Sequence, residues 1–207
     1  MPVDLLANGI AMDVLSDRLE ICVYGSGMLC FNDRWHPAIA PSPELRLNAV
    51  ALGGARSLAV GDQGRWFTRE SDGGGMWTEQ LPFGSASLMH IGFERISGTA
   101  IVVGDGRVQA ILSDSILPLE CGAPGDLRAV MLTPGYPQSA YAVTTSGEVL
   151  QYAKAGPRRI EPYCMYQQLA LEGPILQVYE SPCQNSINPR IVTDGAVIGT
   201  SACVQAF

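Results

Sequence analysis

Metal ligands are scarce in this sequence. His36 and His90 are its two histidines, and its six cysteines (Cys22, Cys30, Cys121, Cys164, Cys183 and Cys203) form no CxxC pair. A structural zinc site gathers four Cys/His ligands at short spacings. No metal site is therefore expected, and buried free thiols are the expectation for the cysteines. One pair is set apart, because Cys22 and Cys30 flank Ser26 at four residues on either side. With Gly25-Ser26-Gly27 as a hairpin turn, the two thiols could face each other across strands and form a disulfide if the register allows. Positive charge is scarce as well. The chain has 13 basic residues against 20 acidic ones, a formal charge of −7, and Lys154 as its one lysine. Duplex binding needs a basic face that displaces counterions from phosphates, so nucleic acid is disfavoured as a partner. No run approaches the roughly 18 to 20 apolar residues of a membrane helix. The start, Met1-Pro2-Val3-Asp4-Leu5-Leu6, has no basic leader. The expectation is a soluble protein, cytoplasmic or virion-borne, without membrane contact. No phosphate loop, HExxH or nucleophile elbow is present, so no catalytic residue and no cofactor is assigned.

What the chain has in quantity is turn formers and β-type apolar runs. It carries 23 glycines and 14 prolines in 207 residues, 47% of them hydrophobic. Glycine and proline punctuate turns, so many short elements are expected. A glycine-bearing turn after an apolar run recurs five times: Cys22-Val-Tyr-Gly-Ser-Gly27, Ala59-Val-Gly-Asp-Gln-Gly64, Val102-Val-Gly-Asp-Gly106, Ala142-Val-Thr-Thr-Ser-Gly147 and Ile191-Val-Thr-Asp-Gly195. The closing glycines Gly27, Gly64, Gly106, Gly147 and Gly195 are 37, 42, 41 and 48 residues apart, a mean of 42. Five such units account for the whole chain. Leu47-Asn-Ala-Val-Ala-Leu52 and Leu127-Arg-Ala-Val-Met-Leu132 hold the same place two units apart.

Each unit reads as up to four short antiparallel strands. In the second they fall at about 46–52, 57–61, 65–70 and 76–81, bounded by Gly, Pro, Asp and Ser. The glycine turn separates the second and third strands, where a primed hairpin turn requires positive φ. No helix is expected; the doubtful stretch is Ile160 to Leu171, interrupted by Pro162. Units of about 40 residues with four strands have the measure of a propeller blade. The expected fold is an all-β, five-bladed β-propeller, one domain over 1–207 with repeats at about 7–42, 43–84, 85–124, 125–172 and 173–207. Val3-Asp-Leu-Leu6 is strand-like and is expected to pair into the last blade, closing the ring.

The segment Glu70-Ser-Asp-Gly-Gly-Gly-Met-Trp77 resembles the Asp-box, or BNR repeat, with the pattern S-x-D-x-G-x-T-W. Asp72, Gly74 and Trp77 match it; Glu70 and Met76 depart from it. With Ala59-Val-Gly-Asp-Gln-Gly-Arg-Trp66 it is similar to repeats of sialidase-like and assembly-factor propellers. The match covers about 20 residues of one unit, and other units hold remnants such as Phe31-Asn-Asp-Arg-Trp35. The resemblance implies a structural motif: the aspartate fixes a turn through backbone N–H groups, the glycines allow its path, and the tryptophan wedges between sheets.

Sialidase-like chemistry would need an arginine cluster, a tyrosine nucleophile and acidic partners. Arg46, Arg128, Tyr24, Tyr141 and Tyr179 are available, and Asp13, Glu44, Glu94, Asp126 and Glu180 fall in or near inner strands. These acids read as solvated strand ends. The connections are mostly tight turns, with Tyr179 to Arg190 the one long exception. The expected function is a non-catalytic structural or protein-interaction module, a component of a larger assembly such as a phage virion or tail. A glycan-binding, lectin-like propeller is the alternative, and a glycoside hydrolase a second one.

Overall fold

In the computed structural model, the backbone is described over residues 5–15, 18–53, 56–70, 75–93 and 100–105 and, beyond these, over strands only. Side chains are described over 5–13, 19–53, 56–70, 75–93 and 100–105. The fold is all-β, built of antiparallel sheets, and no α-helix occurs among the described residues. No helix among the described residues is long and apolar enough to cross a membrane.

Among the described residues, nineteen strands form five sheets, each from consecutive strands. Sheet 1 contains β1 (Ala7–Leu15), β2 (Arg18–Gly25), β3 (Met28–Phe31) and β4 (Trp35–Ile39). Sheet 2 contains β5 (Leu47–Ala51), β6 (Arg56–Gly61), β7 (Trp66–Glu70) and β8 (Thr78–Glu79), at the places expected for the second unit. Sheet 3 contains β9 (Leu88–Phe93), β10 (Ala100–Gly104), β11 (Arg107–Ile111) and β12 (Ile116–Pro118). Sheet 4 contains β13 (Leu127–Leu132), β14 (Ser139–Thr144), β15 (Glu148–Lys154) and β16 (Ile160–Gln168). The doubtful Ile160 stretch is thus a strand, in which its β-branched and aromatic residues are at home. Sheet 5 contains three described strands, β17 (Ile175–Cys183), β18 (Ser186–Thr193) and β19 (Val197–Gly199). The sheets meet in chain order through their first strands: β1 with β5, β5 with β9, β9 with β13, and β13 with β17. No contact of that extent joins β17 back to β1 among the described residues.

A single device recurs at the start of every first strand. Ala7 pairs with Gly25 and Gly9 with Tyr24, so Asn8 is an extra residue, a β-bulge. The register shifts in the same way at Asn48, Met89, Arg128 and Leu176. In the first three sheets a glycine ends the second strand beneath the bulge. A Cβ on Gly25, Gly61 or Gly104 would lie 1.8, 2.1 or 2.0 Å from the carbonyl oxygen of Leu6, Arg46 or Ser87. That carbonyl accepts the N–H of the next residue along: Ser26, Asp62 and Asp105 respectively. In these three sheets the glycine is therefore a steric requirement, and the backbone N–H of the residue after it closes the bulge. Thr144 and Thr193 occupy the glycine's register position in sheets 4 and 5.

This corrects the expected reason for the closing glycines. Gly64 does take positive φ, +66°, beside Gln63 at +58° in the 3-10 turn Asp62–Gly64. Gly27 does not; a Cβ there would lie 2.7 Å from Pro41 Cα, so close backbone approach excludes a side chain. Gly106, Gly147 and Gly195 lie outside the described residues.

The bulge also sorts the core. Leu47 precedes Asn48 and packs towards sheet 1, with Cys22, Met28, Cys30, Leu45, Ala59 and Phe67. Ala49 follows it and packs towards sheet 3, with Leu58, Val60, Trp66, Leu88, Ile91 and Val102. Two residues apart on an ordinary strand share a face; the inserted residue turns them to opposite ones. Elsewhere sheet 2 alternates as a strand should, Leu58 and Val60 on one face and Ala59 on the other.

Sheet 1 is apolar on both faces. Ala11, Cys22 and Cys30 face sheet 2. The opposite face carries Ile10 opposite Val23, Met12 opposite Ile21, and further across Leu29 and Phe31. There Ile10, Met12 and Leu19 are 69%, 68% and 45% exposed. Of the proposed closing segment, Val3 and Asp4 lie outside the described residues, and Leu6 bonds through its backbone to Ser26 of sheet 1.

Candidate functional site

The densest polar chemistry lies between sheets 1 and 2. Glu20 on β2 and Arg69 on β7 are 3% and 2% exposed and form a two-pronged ion pair, with contacts of 2.5 and 2.7 Å. Arg69 Nη2 also donates to Ser57 Oγ at 3.0 Å, and that hydroxyl donates to the Gly53 carbonyl. The Arg69 guanidinium stands over the Trp77 ring, 5.1 Å from its centroid. Strand register explains the assembly: Ser57 pairs with Arg69 across β6 and β7, and both project from the face that Ala59 and Phe67 present to sheet 1.

Cys22 and Cys30 sit opposite each other across β2 and β3 and form a disulfide, fully buried, with Cα atoms 4.1 Å apart. The expected free thiols are thus replaced by a bridge at this pair, because the turn Gly25-Ser26-Gly27, with Tyr24 opposite Met28, puts them in register. The other four cysteines lie where no side chain is described. Cys22 Sγ lies 3.9 Å from Glu20 Oε1; as a disulfide sulfur it has no proton to donate. Glu20, Cys22 and Cys30 have the spacing of a small metal cluster. They do not have its chemistry, since the sulfurs are bonded to each other and the carboxylate is held by Arg69.

Among the described residues, a cleft opens at each end of this junction. At the bulge end a cleft of about 400 Å³ is lined by Leu6, Asn8, Ser26 and Arg46, among others. Asn8 Nδ2 spans the junction there to the Leu47 carbonyl at 3.0 Å. Asn48 does the same one sheet on, donating to the Leu88 carbonyl at 2.9 Å and to Asp62 Oδ1 at 2.8 Å. The far cleft, about 420 Å³, lies between the β3–β4 turn and the segment before β8. Asn32, Arg34, His36, Arg69, Met76 and Trp77 are in its walls.

Most residues singled out from sequence do not converge. Trp77 is half-buried against the sheet 1–sheet 2 core and beneath Arg69, while Asp72 and Gly74 lie outside the described residues. Asp13 is buried rather than a solvated strand end, because its register partner is Glu20 inside the junction. Glu44 is exposed in the loop before β5. Arg46 is exposed at the bulge end. Tyr24 lies across Gly9, where a Cβ would be 2.4 Å from its hydroxyl. Burial raises its pKa above the usual tyrosine value, which works against the phenolate a tyrosine nucleophile needs. Glu94, Asp126, Arg128, Tyr141, Tyr179 and Glu180 fall where no side chain is described. Sequence reading missed the Glu20–Arg69 pair. Its one signal was two charged residues at strand positions that alternation turns inward.

The class defined by these observations is an all-β chain of sequential antiparallel sheets stacked through their first strands. No protein-family model matches it, and no curated protein does. Among solved structures it resembles an auxiliary nutrient binding protein from Bacteroides thetaiotaomicron VPI-5482, at TM-score 0.61 and 14% identity over 93% of this chain. The match covers 56% of that protein, so this chain spans little more than half its length. At that identity the likeness is one of fold.

Proposed function

We propose that this chain is a five-bladed β-propeller serving as a non-catalytic interaction module within a larger assembly. The observation that carries the reading is how the buried charge is used. Glu20, Arg69 and Ser57 hold one another and tie two sheets together, leaving a rigid body whose contact surfaces are loops and sheet edges. Tyr24, with its raised pKa, is poised for packing and not for attack.

Five sheets falling one within each sequence repeat, each with a bulge at the start of its first strand, support a ring. The open face of sheet 1 supports closure by sheet 5. A sheet apolar on both faces is normally covered on both, and an exposed patch of this kind marks a contact surface. Sheet 5 stands at the other end of the stack and places Val178, Ile191 and Ile198 in register across its strands. The Asp-box reading of Asp72, Gly74 and Trp77, and the partners (other proteins, as in a virion or tail), belong to the same proposal. The buried disulfide fits an oxidising setting or a particle better than a reducing cytosol. Binding is also how the structural neighbour is described, of that protein.

Isolation from the native source tests this. Co-purification with a larger particle, no retention on a glycan array and no turnover of a chromogenic glycoside panel are expected. Array retention would favour the lectin reading, and turnover of any glycoside would overturn the non-catalytic one.

A further inference from the structure

The far cleft at the sheet 1–sheet 2 junction stands apart from the acidic character of the chain. Arg34 and Arg69 are in its walls with His36, and no carboxylate lines it among the described residues. Arg69 is neutralised by Glu20. Arg34 forms no ion pair among the described residues, whereas Arg56 and Arg65 hold Glu70 and Glu79. An exposed arginine outside any ion pair among the described residues has its guanidinium donors free to meet an anion. The cleft volume, about 420 Å³, is that of a small-molecule site. Its apolar part is Trp77, half-buried, and Met76, 87% exposed at the rim. Exposed methionine is an adaptable contact for an apolar ligand body.

The turn carrying Arg34 is itself unusual. Asp33 adopts φ of +92°, a conformation costly for a residue with a side chain. The Arg34 carbonyl meets His36 Nδ1 at 3.4 Å. In the other wall, Arg69 Nε and Trp77 Nε1 are buried donors with no hydrogen-bond acceptor among the described residues.

We propose that this cleft binds a small organic carboxylate carrying an apolar ring. Arg34 would take the carboxylate, with Asn32 and His36 beside it, and Met76 and the Trp77 edge would take the ring. The site is independent of whether the five sheets close into a ring.

The probes are benzoate, its neutral isostere benzamide, and inorganic sulfate, added to the full chain and followed by NMR of the tryptophan indole and arginine Nε–H signals. Benzoate is expected to saturate, with shifts at Arg34 and Trp77. Benzamide should bind about tenfold more weakly, the value of one charge-assisted hydrogen bond. Arg34→Gln should weaken benzoate by a similar factor and Arg34→Lys restore part of it; both lie on an exposed turn and leave the core untouched. Equal affinity for benzoate and benzamide would overturn the proposal, as would sulfate binding as well as benzoate. No saturable shift, or an Arg34→Gln protein that binds benzoate unchanged, would do the same.

Discussion

Sheet 2 is held by different means on its two sides. Towards sheet 1 it contributes Leu47, Ala59 and Phe67 together with Arg69 and Ser57, and it meets a buried carboxylate and a disulfide. Towards sheet 3 it contributes Ala49, Leu58, Val60 and Trp66, and it meets Leu88, Ile91 and Val102. The second junction is hydrocarbon and aromatic, with Trp66 stacked on Phe83 at 4.8 Å and its indole N–H given to the Leu81 carbonyl. One asparagine crosses each junction to a backbone carbonyl at the bulge end. Register and stitching are thus shared, while the bulk of the interface is not. The difference teaches that the bulge geometry positions the sheets and leaves the chemistry between them free to vary. A buried ion pair contributes little net stability relative to an apolar substitute, but it leaves a large penalty when one partner is lost.

The comparison is broken most severely by removing one charge. Arg69→Ala strands a carboxylate and should cost about 3 to 5 kcal/mol in denaturant unfolding. Replacing both partners, with Glu20→Leu and Arg69→Met, should recover much of that. A single loss below about 1 kcal/mol would mean the pair is solvated. Trp66→Ala on the other side should cost about 3 to 5 kcal/mol by cavity formation and a lost hydrogen bond. Unlike the charge loss, that cost should not be relieved by any change at Glu20. Serine at both Cys22 and Cys30 should cost about 2 to 3 kcal/mol for a bridge of sequence separation 8. The wild type should lose a similar amount under reducing denaturation, and the serine variant should not respond to reductant. Asn48→Ala should cost about 1 to 2 kcal/mol, for two hydrogen bonds. Asn8→Ala, losing one to the Leu47 carbonyl, should cost less.

Much of the sheet layout was legible because its signals are local. Alternating apolar runs and glycine turns placed the strands of sheet 2, and Cys22 and Cys30 could be matched by counting from Ser26. The bulges were half legible. Their Gly-Ser and Gly-Asp dipeptides were visible as a repeat, but the carbonyls of Leu6, Arg46 and Ser87 that exclude a Cβ come from a strand about 17 to 19 residues earlier in sheets 1 and 3, and 15 in sheet 2. Alternation also fails across a bulge, so Leu47 and Ala49 would be read onto one face when they line two cores. The candidate site was legible least. Glu20 and Arg69 are 49 residues apart, and only the stacking of two sheets brings them together. Trp77 could be singled out from the sequence; the arginine above it could not.

The proposed ring rests on the open face of sheet 1 finding sheet 5. Small-angle scattering with light scattering on the full chain tests that contact most directly. A closed, monomeric ring of 22.1 kDa should show a radius of gyration near 17 Å, the value for a compact chain of 207 residues. An open stack with a clearly larger radius, or a dimer covering Ile10 and Met12 with a second copy, would contradict it.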